Sequence, residues 1–269
     1  VPTDSVTHVN IAYAWIDPNS FTVYPSNGFG EAQIQEFLAL KRGAPGLKLW
    51  ITVGGWDFSN GQGASTGTQG IFSKVVGTAA NRAKFITSAA AFLRQFALNG
   101  VDLDWEWPGA SDLPNYAALL REMRAYFNDH QPAPTGWGIS FTVPLDVSIL
   151  ARYDLATMVQ YADWINLLAF DIESRGVTPA MTVPSSDIRS FDTVLAALTA
   201  AGVPSSRINL GLGFFGRSYS ISSASCSGVS CPVTHVGVVG PCSGTPSFMS
   251  YKEIESTMSH TGLQASHDS

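Results

Sequence analysis

The densest run of chemistry-bearing residues is Gly100-Val101-Asp102-Leu103-Asp104-Trp105-Glu106-Trp107-Pro108. Asp102, Asp104 and Glu106 are spaced by two, so on a strand they project from one face, roughly 6.5–7 Å apart along the chain. Leu103 and Trp105 then face the other way, where helices can cover them. Three carboxylates on a core strand are costly to bury unpaired. They coexist only by sharing protons, binding metal or receiving a partner from the substrate. Crowding raises their proton affinity, which suits a general acid at neutral or mildly acidic pH. Paired surface charges and a divalent metal site are the alternatives. The apolar neighbours argue against the first, and the absence of nearby histidines or further acids argues against the second.

These acids need a scaffold, and the chain supplies alternating strand and helix signals. Strand-like apolar runs fall at 8–16, 47–55, 101–108, 136–145, 164–171 and 208–216. Between them, apolar residues recur at helical spacing. Ile34, Phe37 and Leu38 precede Gly43, and Phe85, Ala89, Phe92, Leu93 and Phe96 precede Gly100. Tyr116, Leu119, Leu120, Met123 and Phe127 follow Asp112 and Pro114, while Val194, Leu195 and Leu198 lie between Asp192 and Gly202. The acids and glycines read as helix caps and left-handed terminators. Strand, helix, strand in repetition predicts an α/β fold with a parallel sheet. Several strands are apolar at nearly every position, as when both faces are buried. Polar residues gather at strand C-terminal ends, at Gly54-Gly55-Trp56-Asp57, Asp104 to Glu106, Asp146 and Asp171. A barrel carries its active site there, whereas a doubly wound sheet would want a phosphate loop after its first strand. A barrel is therefore the preferred architecture, although six strands are counted rather than eight.

Gly211-Leu212-Gly213-Phe214-Phe215-Gly216 matches G-x-G-x-x-G, but Arg217 to Ser223 does not open a helix, so a turn is read instead of a dinucleotide site. Cys226, Cys231 and Cys242 lack zinc-ligand spacing, and one disulfide with one cysteine left over is expected. The 269 residues carry 15 basic and 21 acidic side chains, a formal charge of −6. That balance, without a basic patch, argues against nucleic acid as a partner. No stretch nears the roughly 20 apolar residues of a membrane span. No signal peptide is visible after Val1-Pro2. Low charge and clustered cysteines suit a secreted protein whose signal has been removed.

Asp102-Leu103-Asp104-Trp105-Glu106 resembles the D-x-D-x-E core of the glycoside hydrolase family 18 signature, D-x-x-D-x-D-x-E. Thr52-Val53-Gly54-Gly55-Trp56 resembles the family's S-x-G-G strand, Leu168-Ala169-Phe170-Asp171 its M-x-Y-D, and Gly213 to Arg217 the strand ending in F-Y-G-R. The segment 226–242, leading into Ser250 to Ile254, is most similar to fungal chitinases related to killer-toxin α-subunits. The resemblance implies a TIM-type (β/α)8 barrel, here short of its first and last strands, so the chain reads as a fragment or a truncated homologue. Residues 1–217 would form the barrel region and 218–269 a partial insertion or late barrel segment of the same domain.

For function, the resemblance implies retaining, substrate-assisted hydrolysis of chitin or chito-oligosaccharides, an exception to the two-carboxylate rule. Glu106 would be the general acid, Asp104 would orient the substrate acetamido group, Asp102 would share a proton with Asp104, and Asp171 would also face the acetamido sugar. No cofactor and no metal is implied. Trp56, Trp107 and Tyr13 lie at strand ends where rings can stack on sugars, with core packing as the alternative. Phe170 and Arg217 complete the expected substrate-binding set. Trp15, Trp50, Trp137 and Trp164 read as structural. The extracellular space or cell wall is the expected location, and a complete barrel predicts a monomer. Departures from the pattern are Asn99 for the first acid of the signature, Thr52 for serine, and Phe170 and Phe215 for tyrosines. A non-catalytic chitin-binding protein and an endo-β-N-acetylglucosaminidase are the alternative functions.

Overall fold

The computed structural model describes residues 3–26, 30–131, 136–170, 182, 188–226, 228 and 230–265. The chain divides into two compact units, Val1–Leu167 with Val194–Asn209, and Leu168–Thr193 with Leu210–Ser269. The first holds most of a parallel sheet and its helices. Strand β1 (His8–Ile16) is followed by the short β2 (Val23–Pro25) and helix α1 (Glu31–Gly43). Next come β3 (Lys48–Gly54), α2 (Trp56–Asn60), α3 (Ile71–Val76) and α4 (Ala79–Gln95). β4 (Gly100–Asp104), α5 (Leu113–His130) and β5 (Gly138–Val143) continue the winding. α6 (Val147–Leu150) and α7 (Leu155–Met158) lead to β6 (Trp164–Leu168), α8 (Ile188–Ala200) and β7 (Ile208–Gly211).

The seven-stranded sheet has the order β2-β1-β3-β4-β5-β6-β7. Strands β1, β3, β4, β5 and β6 pair in parallel, and β2 is antiparallel to β1. This is the winding of a (β/α)8 barrel, and each of the six expected runs contributes a strand to it, several shorter than expected. Helices form where apolar residues recur every three to four positions. Phe85, Ile86, Ala89 and Leu93 of α4 are buried, as are Leu119, Leu120, Met123 and Phe127 of α5. The Arg82 guanidinium joins these helices through two bonds to the Glu122 carboxylate, at 2.8 and 2.7 Å.

The opposite face of the sheet is layered. At the N-terminal ends of the strands the Trp50 ring lies across Gly100 and Gly138, where a Cβ at either glycine would collide with it. Trp164 packs 4.3 Å from Trp50, and His8 sits edge-on 5.0 Å from Trp164. One layer up, Thr52 of β3 pairs with Asp102 of β4, and Asp102 with Ser140 of β5. Asp104 pairs with Gly54 above that. The register of β3, β4 and β5 thus sets the acidic row above the aromatic plug.

Some expectations need correction. Gly100 does not terminate a helix in the left-handed region; Ala97 takes positive φ (49°), and Gly100 is small because Trp50 fills the space above it. Gly43 likewise lies within α1. Asp112 stands at the α5 N-cap without capping it, its carboxylate accepting the Ser73 hydroxyl at 2.8 Å instead. Asp192 falls inside α8. β4 ends at Asp104, so Glu106 lies just past the strand. The run 208–216 breaks in two, because Phe215 leaves β7 to pair elsewhere.

In the second unit, β8 (Phe215–Arg217) pairs antiparallel with β11 (Phe248–Ser250), and β9 (Tyr219–Ile221) with β10 (Val233–Val236). No dinucleotide-type helix follows the glycine-rich segment. Helix α9 (Tyr251–Thr261) starts with a reciprocal capping box between Ser250 and Glu253 and ends at left-handed Gly262. The Glu253 carboxylate also accepts the N–H groups of Cys242 and Ser243, at 2.6 and 2.9 Å. These donors hold its pKa down, to about 2. Cys226 and Cys231 form a disulfide, and Cys242 is free and exposed. Among the described residues no helix is long and apolar enough to cross a membrane.

Candidate active site

The acidic row sits at the C-terminal end of β4, and all three carboxylate residues are buried: Asp102 is 4% exposed, Asp104 6% and Glu106 4%. Leu103 and Trp105 point to the helices, as expected. Trp105 stacks on Phe72 of α3 at 5.1 Å and tilts against Tyr116 of α5 at 5.3 Å. That packing anchors the strand from behind and leaves the alternate residues facing inward.

Asp102 is held by side chains from three other strands. Its Oδ1 accepts the Ser140 hydroxyl at 2.7 Å and the Asn166 amide at 2.9 Å, while Oδ2 accepts the Thr52 hydroxyl at 3.1 Å. Burial raises its pKa, and hydrogen bonds from Ser140, Thr52, Asn166 and Asn10 oppose that rise without cancelling it. The Asn166 oxygen in turn accepts the Asn209 amide at 3.4 Å, which turns the Asn166 NH2 toward Asp102. Polar side chains from successive strands thus form one layer around a carboxyl group with an enhanced hold on its proton.

Gly54 and Gly55 let the chain close over this row. Gly54 has φ +112°, and a Cβ there would strike the Asp104 carbonyl and the Phe72 ring. Gly55 has φ +90°, and the Tyr13 ring rests where its Cβ would be, at 2.9 Å. The Gly55 N–H donates to the Asp104 carbonyl at 2.8 Å. Tyr13 is partly exposed above this glycine at 39%. Trp56 opens α2 with its indole N–H on Gln62 at 3.3 Å, and Trp107 follows Glu106; both are half-buried.

At the foot of β4, Asn99 replaces the first acid of the family signature. Its Oδ1 accepts the Leu49 N–H at 3.0 Å and the Lys41 ammonium at 2.9 Å, so the side chain joins α1, β3 and β4 without a charge. Burial and nearby Lys48 lower the Lys41 pKa.

Phe170 and Arg217 belong to the second unit. Phe170 meets Phe215 edge-on at 5.6 Å, and the Arg217 guanidinium lies 5.4 Å from both the Phe215 and Phe248 rings. Asp171 lies outside the described residues. Among the described residues no group of three or more His, Cys, Asp or Glu is disposed to hold a metal ion. Sequence reasoning missed Asn10, Ser140, Asn166 and Asn209. Their signal is a polar side chain at alternate positions of strands that are otherwise apolar.

A β/α-barrel sheet with a buried carboxylate row at its strand ends has candidate catalytic groups where barrel enzymes carry their active sites. The sequence profile of Glycosyl hydrolases family 18 matches residues 1–269, and the chain belongs to that family. Chitotriosidase-1 of Mus musculus is 33% identical over 265 residues, covering 92% of this chain and 55% of the mouse protein. The chain spans about half the length of this curated relative or less of others. Among solved structures, class V chitinase of Nicotiana tobaccum superposes with a TM-score of 0.84 at 22% identity, covering 100% of this chain and 78% of that one. A mutant of that plant enzyme has been solved in complex with NAG4. A chitinase-like agglutinin of Robinia pseudoacacia gives a TM-score of 0.80 at 26% identity, covering 100% and 79%.

Proposed function

We propose that the protein hydrolyses the β-1,4 linkages of chitin or chito-oligosaccharides with retention of anomeric configuration, the substrate's own acetamido group serving as nucleophile. What carries this reading is the buried row Asp102, Asp104 and Glu106, with Asp102 wrapped by Thr52, Ser140 and Asn166. Glu106, nearest the open end, protonates the glycosidic oxygen as the bond to the anomeric carbon breaks. The acetamido carbonyl oxygen attacks that carbon and closes an oxazolinium ring. Asp104 accepts the acetamido N–H and stabilises the cation, helped by the proton-holding Asp102 behind it. Water then attacks the same carbon, Glu106 takes its proton, and the ring opens. Asp171, by its match to the family pattern, is assigned to the same substrate. Trp56, Trp107 and Tyr13 supply rings for sugar faces, with Phe170 and Arg217 as further substrate contacts. No cofactor enters the scheme.

Substrate preference tests it. N-acetylated oligomers should be cleaved and cello-oligosaccharides left intact, and a thiazoline analogue of the cyclic intermediate should inhibit strongly. Equal cleavage of cello-oligosaccharides would sink the substrate-assisted mechanism. A second reading, a chitin-binding protein without turnover, is favoured by Phe170, which lacks the tyrosine hydroxyl of the family pattern, and by the likeness to a chitinase-like agglutinin. Binding to chitin without hydrolysis would select it. We further infer an extracellular or cell-wall location, supported by the Cys226–Cys231 disulfide. Kinship with the killer-toxin-related fungal chitinases rests on the cysteine-containing segment before α9.

A further inference from the structure

Glu106 lies beyond the strand that carries it. The last residue pairs that fix β4 are Gly54 with Asp104 on one side and Leu103 with Phe141 on the other. Two residues later, the ladder no longer determines where the backbone runs. At that point α2, from the neighbouring β/α unit, takes hold of the Glu106 peptide groups on both sides. Ser59 Oγ accepts the Glu106 N–H at 3.0 Å, and its hydroxyl reaches the Asp104 carbonyl at 3.5 Å. The Asn60 amide donates to the Glu106 carbonyl at 3.1 Å and to the Trp56 carbonyl at 2.9 Å. One pair of side chains thus binds the N–H and the C=O of the same residue.

We propose that Ser59 and Asn60 are positioning residues that set the place of the Glu106 carboxyl and tie it to the segment bearing Trp56. The proposal rests on the reading of Glu106 as general acid. The Ser59 hydroxyl bonds outside α2, and the Asn60 amide divides between Glu106 and its own helix. Gly55 and left-handed Gly61 flank the helix, and no side chain caps its N-terminus. Serine and asparagine are also weaker helix formers than alanine, so their presence suits a tertiary role. Proton transfer in turn demands a narrow distance to the glycosidic oxygen. A shift of the Glu106 backbone would weaken that transfer while leaving the acetamido attack, which depends on Asp104, largely intact.

The test compares two chito-oligosaccharide glycosides on the full chain. One carries a dinitrophenyl leaving group, which departs without protonation. The other carries an unactivated sugar, which requires it. Ser59→Ala and Ser59→Ala with Asn60→Ala should slow the unactivated substrate by about fivefold or more, the worth of one or two lost hydrogen bonds. The dinitrophenyl substrate should change by less than about twofold, with KM little altered for both. Ser59→Thr, which keeps the hydroxyl, should restore most of the loss. Amide exchange at Glu106 should quicken in Ser59→Ala. Equal losses on both substrates, or unchanged Glu106 exchange, would overturn the positioning role. Glu106→Gln, assayed alongside, separates the two ideas. If it abolishes cleavage of the unactivated substrate and Ser59→Ala does not slow it, only the clamp is wrong. If Glu106→Gln matches the parent on that substrate, the general-acid reading fails and takes the clamp with it.

Discussion

Replacing Asp102 by asparagine should make the protein more stable at neutral pH and less active. Burial holds the Asp102 pKa above its ordinary value of 3.8 despite four hydrogen-bonding side chains. A group whose folded-state pKa is raised contributes stability fully below its unfolded value, and that contribution is lost as pH rises through the folded value. Above that window Asp102 is ionised in both states, but only the native state holds the charge out of water. The amide fits the same cage. Its oxygen can keep the Ser140 and Asn166 donors at 2.7 and 2.9 Å, and its NH2 can meet the Thr52 oxygen, now 3.1 Å from Oδ2. The Thr52 hydroxyl, which now donates to Oδ2, must turn to another acceptor, and Asn10 loses a charged partner. Weaker neutral hydrogen bonds and the redirected donors offset part of the relieved desolvation, leaving a gain of about 1 kcal/mol. For a chain of this size that is about 2–4 °C in Tm. Thermal unfolding followed by circular dichroism across pH would measure it. The gain should shrink as pH falls through the raised folded-state value and be smallest below 3.8, where the parent's Asp102 is protonated in both states. A mutant less stable than the parent at about pH 8, or a difference independent of pH, would refute the reasoning.

Other perturbations probe the supports of the site. Gly138→Ala drives a methyl group into the Trp50 ring, which Trp164 backs at 4.3 Å, and should cost about 1–3 kcal/mol of stability, read from denaturant melts. Asn99→Asp puts a carboxylate against Lys41, which Asn99 already contacts at 2.9 Å. It should add about 0.2–1 kcal/mol at low salt, fading as salt rises, and chemical denaturation at two ionic strengths would show it. Glu253→Gln should lower Tm at neutral pH. Because the Glu253 pKa is depressed from 4.5 to about 2, the parent's advantage should be complete above 4.5 and vanish as pH falls through about 2, which a Tm–pH series would follow.

The scaffold was readable in the sequence because buried parallel strands are apolar on both faces, and that pattern needs no tertiary knowledge. The acids were readable for a similar reason, since a two-residue spacing between Leu103 and Trp105 assigns them to one face. Other features depend on contacts between distant residues. Gly100 looked like a helix terminator, yet its role is to make room for Trp50, fifty positions away in the chain. Asp112 looked like a cap and instead receives a hydroxyl from Ser73. The Ser59 and Asn60 hold on Glu106 joins residues more than forty apart, in a helix too short to announce itself. Asn166 and Asn209 were visible only as polar interruptions of apolar strands, and their meaning comes from the Asp102 carboxyl they serve directly and indirectly.

The central claim is that Glu106 moves the proton in a substrate-assisted hydrolysis. The most direct measurement is turnover of an unactivated chito-oligosaccharide by the chain and by Glu106→Gln, with binding to chitin measured on both. The account predicts that the parent turns over, and that the mutant binds comparably while turnover drops by about 10²–10⁴. A mutant as fast as its parent, or a parent that binds chitin and never cleaves it, would contradict it.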